Sequence, residues 1–180
     1  MTTTLPLGAT PPLETERLNL IQPCENTIDA IVANINDIDV AGRLSNVPYP
    51  YGRDDGRFYI HQVVPRHMVW GILTKRFDAI FVGTIGLHSE RSDLLLGYWL
   101  GKAHWGQGYA SEAGKAVCNF AFGELKMPRL LSQYHSDNPA SGHVLSKLGF
   151  KPTHRGTFFS VANNFEMETV FMELDAKSWN

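Results

Sequence analysis

Leu94-Leu95-Leu96-Gly97-Tyr98-Trp99-Leu100, then Gly101-Lys102-Ala103-His104, then Trp105-Gly106-Gln107-Gly108-Tyr109-Ala110, is the stretch on which this 180-residue chain turns. It reads as an apolar strand, a glycine-bearing turn and the start of a helix from Tyr109 to about Phe122. Gly106 and Gly108, one residue apart, let the backbone turn tightly and bring N–H groups close to a ligand. The first N–H groups of a helix lack partners within it, and the helix dipole favours an anion at that end. Strand, turn and helix start together form a phosphate-binding arrangement. Position 111 is Ser111, where a dinucleotide fingerprint has its third glycine, and no Gly-Lys-Ser/Thr follows as in a P-loop. An ordinary tight strand-to-helix connection is written with the same two glycines.

Working outward, the spacing predicts a mixed sheet. Thr15 to Ile21 reads as a first strand, with Leu18 and Leu20 alternating with polar neighbours. Asn26-Thr27 can cap a helix through Asn34, and Asp37 or Asp39 can start a second, short one through Leu44. Pro48 and Pro50 end that helical region, and Asp54 or Asp55 starts another helix through about Val64. Val69–Thr74 and Ala79–His88 are the next strands, with Gly83 and Gly86 marking a bulge or a close backbone approach. Ser89 to Asp93 is a polar hairpin loop into the central strand. Beyond the central helix, Arg129–His135 is a strand that should run parallel to the central one through a right-handed crossover. Asp137-Asn138-Pro139 starts a further helix ended by Gly149, and Lys151–Ser160 and about Glu166–Leu174 are the last strands. The expected class is α/β (α+β): a mixed central sheet, mostly antiparallel, with one central parallel pair and flanking helices.

Composition narrows the function. A hydrophobic share of 43% and a charged share of 19% suit one globular domain, expected over residues 13–176 after a loose Thr/Pro-rich tail at Met1–Pro12. A net charge of -2 without a basic cluster argues against a broad nucleic-acid footprint. No apolar run approaches the roughly 20 residues of a membrane helix, and the N-terminus lacks the pattern of a signal peptide. Cys24 and Cys118 match no metal spacing and read as reduced thiols of a cytoplasmic protein.

Trp105-Gly106-Gln107-Gly108-Tyr109-Ala110-Ser111-Glu112-Ala113 resembles the acyl-CoA pyrophosphate loop of the GNAT N-acetyltransferase superfamily, in its RimJ/RimL-type branch. The general superfamily pattern opens with Arg or Gln where this chain has Trp105, a departure typical of the branch. A second matching block, Asp137-Asn138-Pro139-Ala140-Ser141 to Lys147-Leu148-Gly149-Phe150, follows in the expected order, and the resemblance extends from about Leu13 to Leu174. It implies an acetyl-CoA-dependent N-acetyltransferase without a metal, in which an amine attacks the thioester directly in a ternary complex. It also implies a GNAT-like sheet whose parallel pair splays apart to admit the pantetheine arm. The cofactor set is Leu100 with the loop amides of Trp105, Gly106, Gln107, Gly108, Tyr109 and Ala110, joined by Asn138. Trp105 reads equally as a core aromatic, and Asn138 as an N-cap.

Ser141 has support from spacing too. At ~100° per residue, Val144, Leu145 and Leu148 lie within ~60° of its direction, which places its hydroxyl on a buried stripe. Such a hydroxyl needs a partner: its own helix backbone, or a departing thiolate, the role implied by the branch. His135, at the end of the strand beside the gap, suits proton transfer near neutral pH, though a satisfied loop histidine reads the same way. His88 is a weaker candidate. In some relatives an acid after the last helix serves as base, and Thr157-Phe158-Phe159-Ser160 has none. Val47 to Tyr51 is part of the acceptor wall by analogy, and packing explains the same residues. The acceptor expected from the branch is a protein N-terminal amine. A small-molecule amine, a non-catalytic acyl-CoA sensor and a phosphate-binding domain unrelated to CoA remain open, as does a homodimer.

Overall fold

Alternating apolar residues along consecutive segments lay down a sheet whose two faces are both covered. The computed structural model describes residues 10–90 and 92–179. Its strands are β1 (Leu13–Glu14), β2 (Leu18–Ile21), β3 (Met68–Thr74), β4 (Phe81–Glu90), β5 (Asp93–Leu100), β6 (Arg129–His135), β7 (Lys151–Ser160) and β8 (Phe165–Asp175). They form one eight-stranded sheet in the order β1-β2-β3-β4-β5-β6-β8-β7. All neighbouring pairs are antiparallel except β5 and β6, which are parallel. The helices are α1 (Ile28–Ile35), α2 (Ile38–Ala41), α3 (Arg53–Phe58), α4 (Tyr109–Gly123) and α5 (Pro139–Lys147).

The two faces carry separate cores. Trp70, Ile85, Leu94, Leu96 and Leu130 meet Ala113, Val117 and Leu145 of α4 and α5. On the opposite face, Val69 and Phe81 meet Ile28, Ile31, Ile35 and Ile60. Successive side chains of a strand point to opposite faces, so each strand serves both cores. Small residues on α4 (Ala110, Ala113, Gly114) let its first half lie close to the sheet. At Gly114 an added Cβ would come within 2.6 Å of Leu148.

Several boundaries differ from the sequence expectation, each for a local reason. Residues 15–18 form a turn closed by Thr15 N–H to Leu18 O at 3.0 Å, so only Leu18–Ile21 remains of the first long strand. The first helix starts after Thr27, one of the two expected capping residues, and a 3-10 turn over Glu25–Thr27 precedes it, closed by Cys24 N–H donating to Thr27 Oγ1 at 3.1 Å. The helix predicted through Val64 is α-helical only to Phe58 and widens into a π turn over Tyr59–Val63. Pro65 follows and has no N–H with which to continue the α ladder. The wider turn leaves Phe58 62% exposed while Ile60 and Val64 are buried. The hairpin before β5 is tighter than predicted, with Glu90 already paired to Asp93.

The bulge expected at Gly83 is present. Ile72 pairs with Gly83 but Leu73 with Phe81, so β4 carries an extra residue there. An added Cβ on Gly83 would lie 2.1 Å from Trp99 O, which fixes glycine at this crossing of β4 and β5. Of the stretch read as a loose tail, residues 10–12 are tied down: Trp70 Nε1 donates to Pro11 O at 2.7 Å. The rest of that tail, and Arg91, lie outside the described residues.

Candidate active site

The centre of the sheet opens on one side. The β5–β6 ladder holds at Leu95↔Leu131. Below it, Arg129 clasps Asp93 with two bonds, Nε to Oδ1 and Nη2 to Oδ2, both 2.9 Å, which pins the starts of the two strands together. Above it, Leu96 O accepts from the Ser132 hydroxyl at 2.8 Å, a side chain standing where a backbone rung would continue. Gly101 N–H is bonded to Val82 O at 2.9 Å, and N–H directions alternate along a strand. The N–H groups of Tyr98 and Leu100 therefore point away from β4, toward the β6 side. Strands held at one end and released at the other form a wedge lined by main-chain donors.

The turn after β5 completes this edge. Residues Lys102–His104 form a single 3-10 turn, and Gly106 and Gly108 adopt left-handed conformations with φ of 73° and 80°. Among the described residues, no protein acceptor engages the N–H groups of Gly106, Gln107, Gly108, Tyr109 or Ala110. The first bond of α4 runs from Glu112 N–H to Gly108 O. Together with Ser111 N–H, also unbonded among the described residues, those five groups make six consecutive free donors at the positive end of a helix of 15 residues, which fit an anion such as a diphosphate. Trp105 differs from the rest of its expected set. Its N–H is bonded to Lys102 O at 3.3 Å, and its indole donates to Leu100 O at 2.8 Å. It is 39% exposed with the Arg43 guanidinium 5.5 Å above its ring, so it is a brace for the loop and not a core aromatic.

Asn138 caps α5, its Oδ1 accepting from Ser141 N–H at 3.3 Å. Ser141 is half-buried in the first turn of that helix. Its hydroxyl does not turn back to its own helix; it lies 2.8 Å from the Tyr98 phenol. Tyr98 is the residue that the sequence reading missed. Its alternation with Leu96 and Leu100 places it on the α4/α5 face, beside the wedge, and the phenol also reaches Ser141 O at 3.2 Å. Burial pushes the phenol up to about 12, against the opposing bond from Ser141, so it holds its proton at neutral pH.

His135 stands on the other face at the far end of β6. It is 4% exposed, and its Nδ1 lies 3.1 Å from Thr169 Oγ1 across the β6–β8 ladder. The Thr169 hydroxyl also reaches Met167 O at 3.1 Å. With its single proton directed there, Thr169 accepts from Nδ1–H and leaves the lone pair on Nε2. Burial holds the imidazole below its ordinary pKa, and Asp137 opposes this only in part. His88 packs against Gly86 and Gly97, with its ring 4.7 Å from that of His67, and burial pushes it down to about 4. Ser141 and His135 thus lie on opposite faces of the sheet, His135 turned toward β8.

The face that carries His135 is roofed at one end. Val161 N–H donates to Ser45 O at 3.0 Å, and Asn163 Nδ2 donates to Gly42 O at 2.7 Å, docking the β7–β8 tip on the segment after α2. Ser160, fully buried, donates to the same segment. Tyr51 is buried below it and bonded through its N–H to Asn36 Oδ1, while Tyr49 is 46% exposed.

Residues 17–151 match the family model described as an acetyltransferase (GNAT) domain. The uncharacterized N-acetyltransferase YoaA of Bacillus subtilis is 29% identical over 149 residues, 78% of this chain and 83% of its own. The probable N-acetyltransferase YjcK of the same organism is 36% identical over 85 residues, 45% of this chain and 46% of its own. Among solved structures, a GNAT-family acetyltransferase from Bacillus anthracis superposes with a TM-score of 0.82 at 19% identity, covering 93% of this chain and 99% of its own. The microcin C7 self-immunity acetyltransferase MccE, solved with acetyl-CoA and AMP, gives a TM-score of 0.77 at 16% identity, covering 95% of this chain and 97% of its own. No helix among the described residues is long and apolar enough to cross a membrane.

Proposed function

The chain belongs to the GNAT acetyltransferase family and is an acetyl-CoA-dependent N-acetyltransferase, and from that premise we propose how its own residues divide the work. The single domain over residues 13–176 binds acetyl-CoA along the wedge. The five free amides from Gly106 to Ala110 hold the diphosphate, and this row of unpartnered donors is the observation that carries the proposal. Main-chain N–H groups of Tyr98 and Leu100 lie along the thioester arm and favour negative charge on the reacting carbonyl oxygen. Asn138 caps α5 and presents its first turn to the same arm.

The acetyl group passes directly from sulfur to a primary amine while both substrates are bound. Cys24 is exposed before α1, and Cys118 is buried in α4 with its thiol pushed up to about 12, so neither suits a covalent acetyl step. Ser141, backed by the Tyr98 phenol, supplies a proton on the sulfur side. Nε2 of His135 takes a proton from the amine on the other face; at 4% exposure the ring meets the amine only within the opening itself or through one water.

The acceptor we propose is a protein or peptide N-terminal amine. An α-amine has a pKa of roughly 8 against ~10.4 for lysine, and so needs less help to become neutral. A flexible terminus also threads under the roof made by the β7–β8 tip, which a lysine on a folded surface does not. The same narrow cleft admits a small-molecule amine, which is the second reading. A screen of peptide and small amines that follows free thiol from acetyl-CoA separates them. Turnover with peptides of free N-terminus, lost on N-terminal blocking, supports the first reading; turnover with small amines only supports the second. Tight CoA binding without thiol release from any amine refutes both.

A further inference from the structure

The outer side of the phosphate loop is held by a residue 90 positions earlier in the chain. Arg17 Nη1 donates to Gln107 O at 3.0 Å, and its guanidinium lies 5.0 Å above the Tyr109 ring. Arg17 is itself fixed by Glu112 in the first turn of α4: Nε to Oε2 at 2.6 Å and its own N–H to Oε1 at 2.8 Å. Thr15 Oγ1 adds a third bond to Oε1 at 2.6 Å. An added Cβ on Gly108 would come within 3.3 Å of Arg17 Nη2, so the guanidinium sits directly against that glycine.

We infer that Arg17 is a positioning residue for acetyl-CoA, turning the Gly108 N–H toward the diphosphate by holding the Gln107 carbonyl on the other side. The C=O and N–H of one trans peptide point in opposite directions, so fixing Gln107 O against Arg17 aims the N–H of the next residue away from it. On the diphosphate reading, the anion occupies that side. Arg17 has a second effect. A carboxylate in the first turn of α4 competes with a ligand anion for the same helix end, and the ion pair with Arg17 neutralises Glu112 there. The three bonds from Thr15 and Arg17 keep the Glu112 carboxyl ionised against the opposing effect of burial, so it stays a fixed partner of Arg17. The inference rests on the reading of the loop as the diphosphate site.

The test compares CoA with pantetheine, which lacks the diphosphate. Calorimetric titration gives the Kd of CoA, and competition against CoA gives that of pantetheine, for the wild type, Arg17→Lys and Arg17→Gln. Melting temperatures are read on the same samples. Lysine keeps a charge beside Glu112 but has no fork that reaches Glu112 and Gln107 O together. The expected result is a CoA Kd raised about tenfold in Arg17→Lys and further in Arg17→Gln. The pantetheine Kd stays as in the wild type. An unchanged CoA Kd in both variants, or equal weakening for both ligands, overturns the positioning role. Equal affinity of the wild type for the two ligands instead refutes the diphosphate reading, and the inference with it.

Discussion

Replacing Gly106 and Gly108 by alanine, one at a time, asks whether the loop holds its left-handed turns. Both residues have positive φ, 73° and 80°. Placing alanine in this region costs about 1–2 kcal/mol. Loss of glycine's freedom in the unfolded chain returns about 0.4–1 kcal/mol. At Gly106 nothing lies within 4 Å of the added Cβ, so the net cost is this difference, about 1 kcal/mol. For a chain of this size it lowers Tm by about 2–4 °C. At Gly108 the same strain is joined by the 3.3 Å approach to Arg17 Nη2, which must yield and loosen its bonds to Gln107 O and Glu112. Gly108→Ala should therefore cost more, about 2 kcal/mol. Thermal and urea unfolding measure both. A double-mutant cycle with Arg17→Ala identifies the source of the excess, because the extra cost at Gly108 should vanish once the guanidinium is gone. A Gly106→Ala variant as stable as the wild type, or a Gly108→Ala excess that survives in the Arg17→Ala background, refutes this reasoning.

Other outcomes follow from the same geometry. Ser141→Ala should lower kcat with little change in acetyl-CoA affinity, and Tyr98→Phe should do the same more weakly; steady-state kinetics at saturating amine checks both, and wild-type kcat in Ser141→Ala removes it from the mechanism. His135→Gln should lower kcat by about 10²-fold or more if the imidazole is the base. Because burial depresses its pKa and a base acts deprotonated, the acidic limb of the wild-type kcat profile should fall below the ordinary histidine value of ~6.5; a limb at or above that value counts against His135. Asp93, held down by its bonds from Arg129 with burial opposing, should stabilise the fold above the unfolded carboxylate pKa of ~3.9 and lose that contribution as pH falls through its folded value. Asp93→Asn should accordingly lower Tm at pH 7, with the gap to wild type narrowing as pH is taken down from about 3.9 through the lowered folded value; a gap that does not narrow below pH ~3.9 contradicts the linkage.

The candidate site was only partly legible from residue order. Glycines at 106 and 108 announce a turn because few other residues adopt positive φ, and that signal survives without any tertiary information. Asn138-Pro139 announces a helix start for an equally local reason, and the cap is present. Tyr98 reads simply as part of an apolar strand, since nothing in its neighbourhood says that a helix 43 residues later brings Ser141 to its phenol. Arg17 and Glu112, 95 residues apart, meet only because β2 and the head of α4 are packed together. Resemblance places Trp105 among the amide donors, yet the 3-10 turn before it consumes its N–H.

Residue order by itself determined the apolar run that builds β5, the two αL glycines after it, the capped start of α5 and hence the family to which the chain belongs. These are properties of short segments, set by φ/ψ limits, side-chain period and capping chemistry acting within a few residues. Tertiary structure decided where the sheet opens, which face each titratable group meets, and which partners orient them. The bidentate Arg129–Asp93 clasp closes one end of the parallel pair, and the Ser132 bond to Leu96 O replaces a rung above it. Such contacts join residues from distant parts of the chain, and their geometry exists only once both cores have packed against the two faces of the sheet.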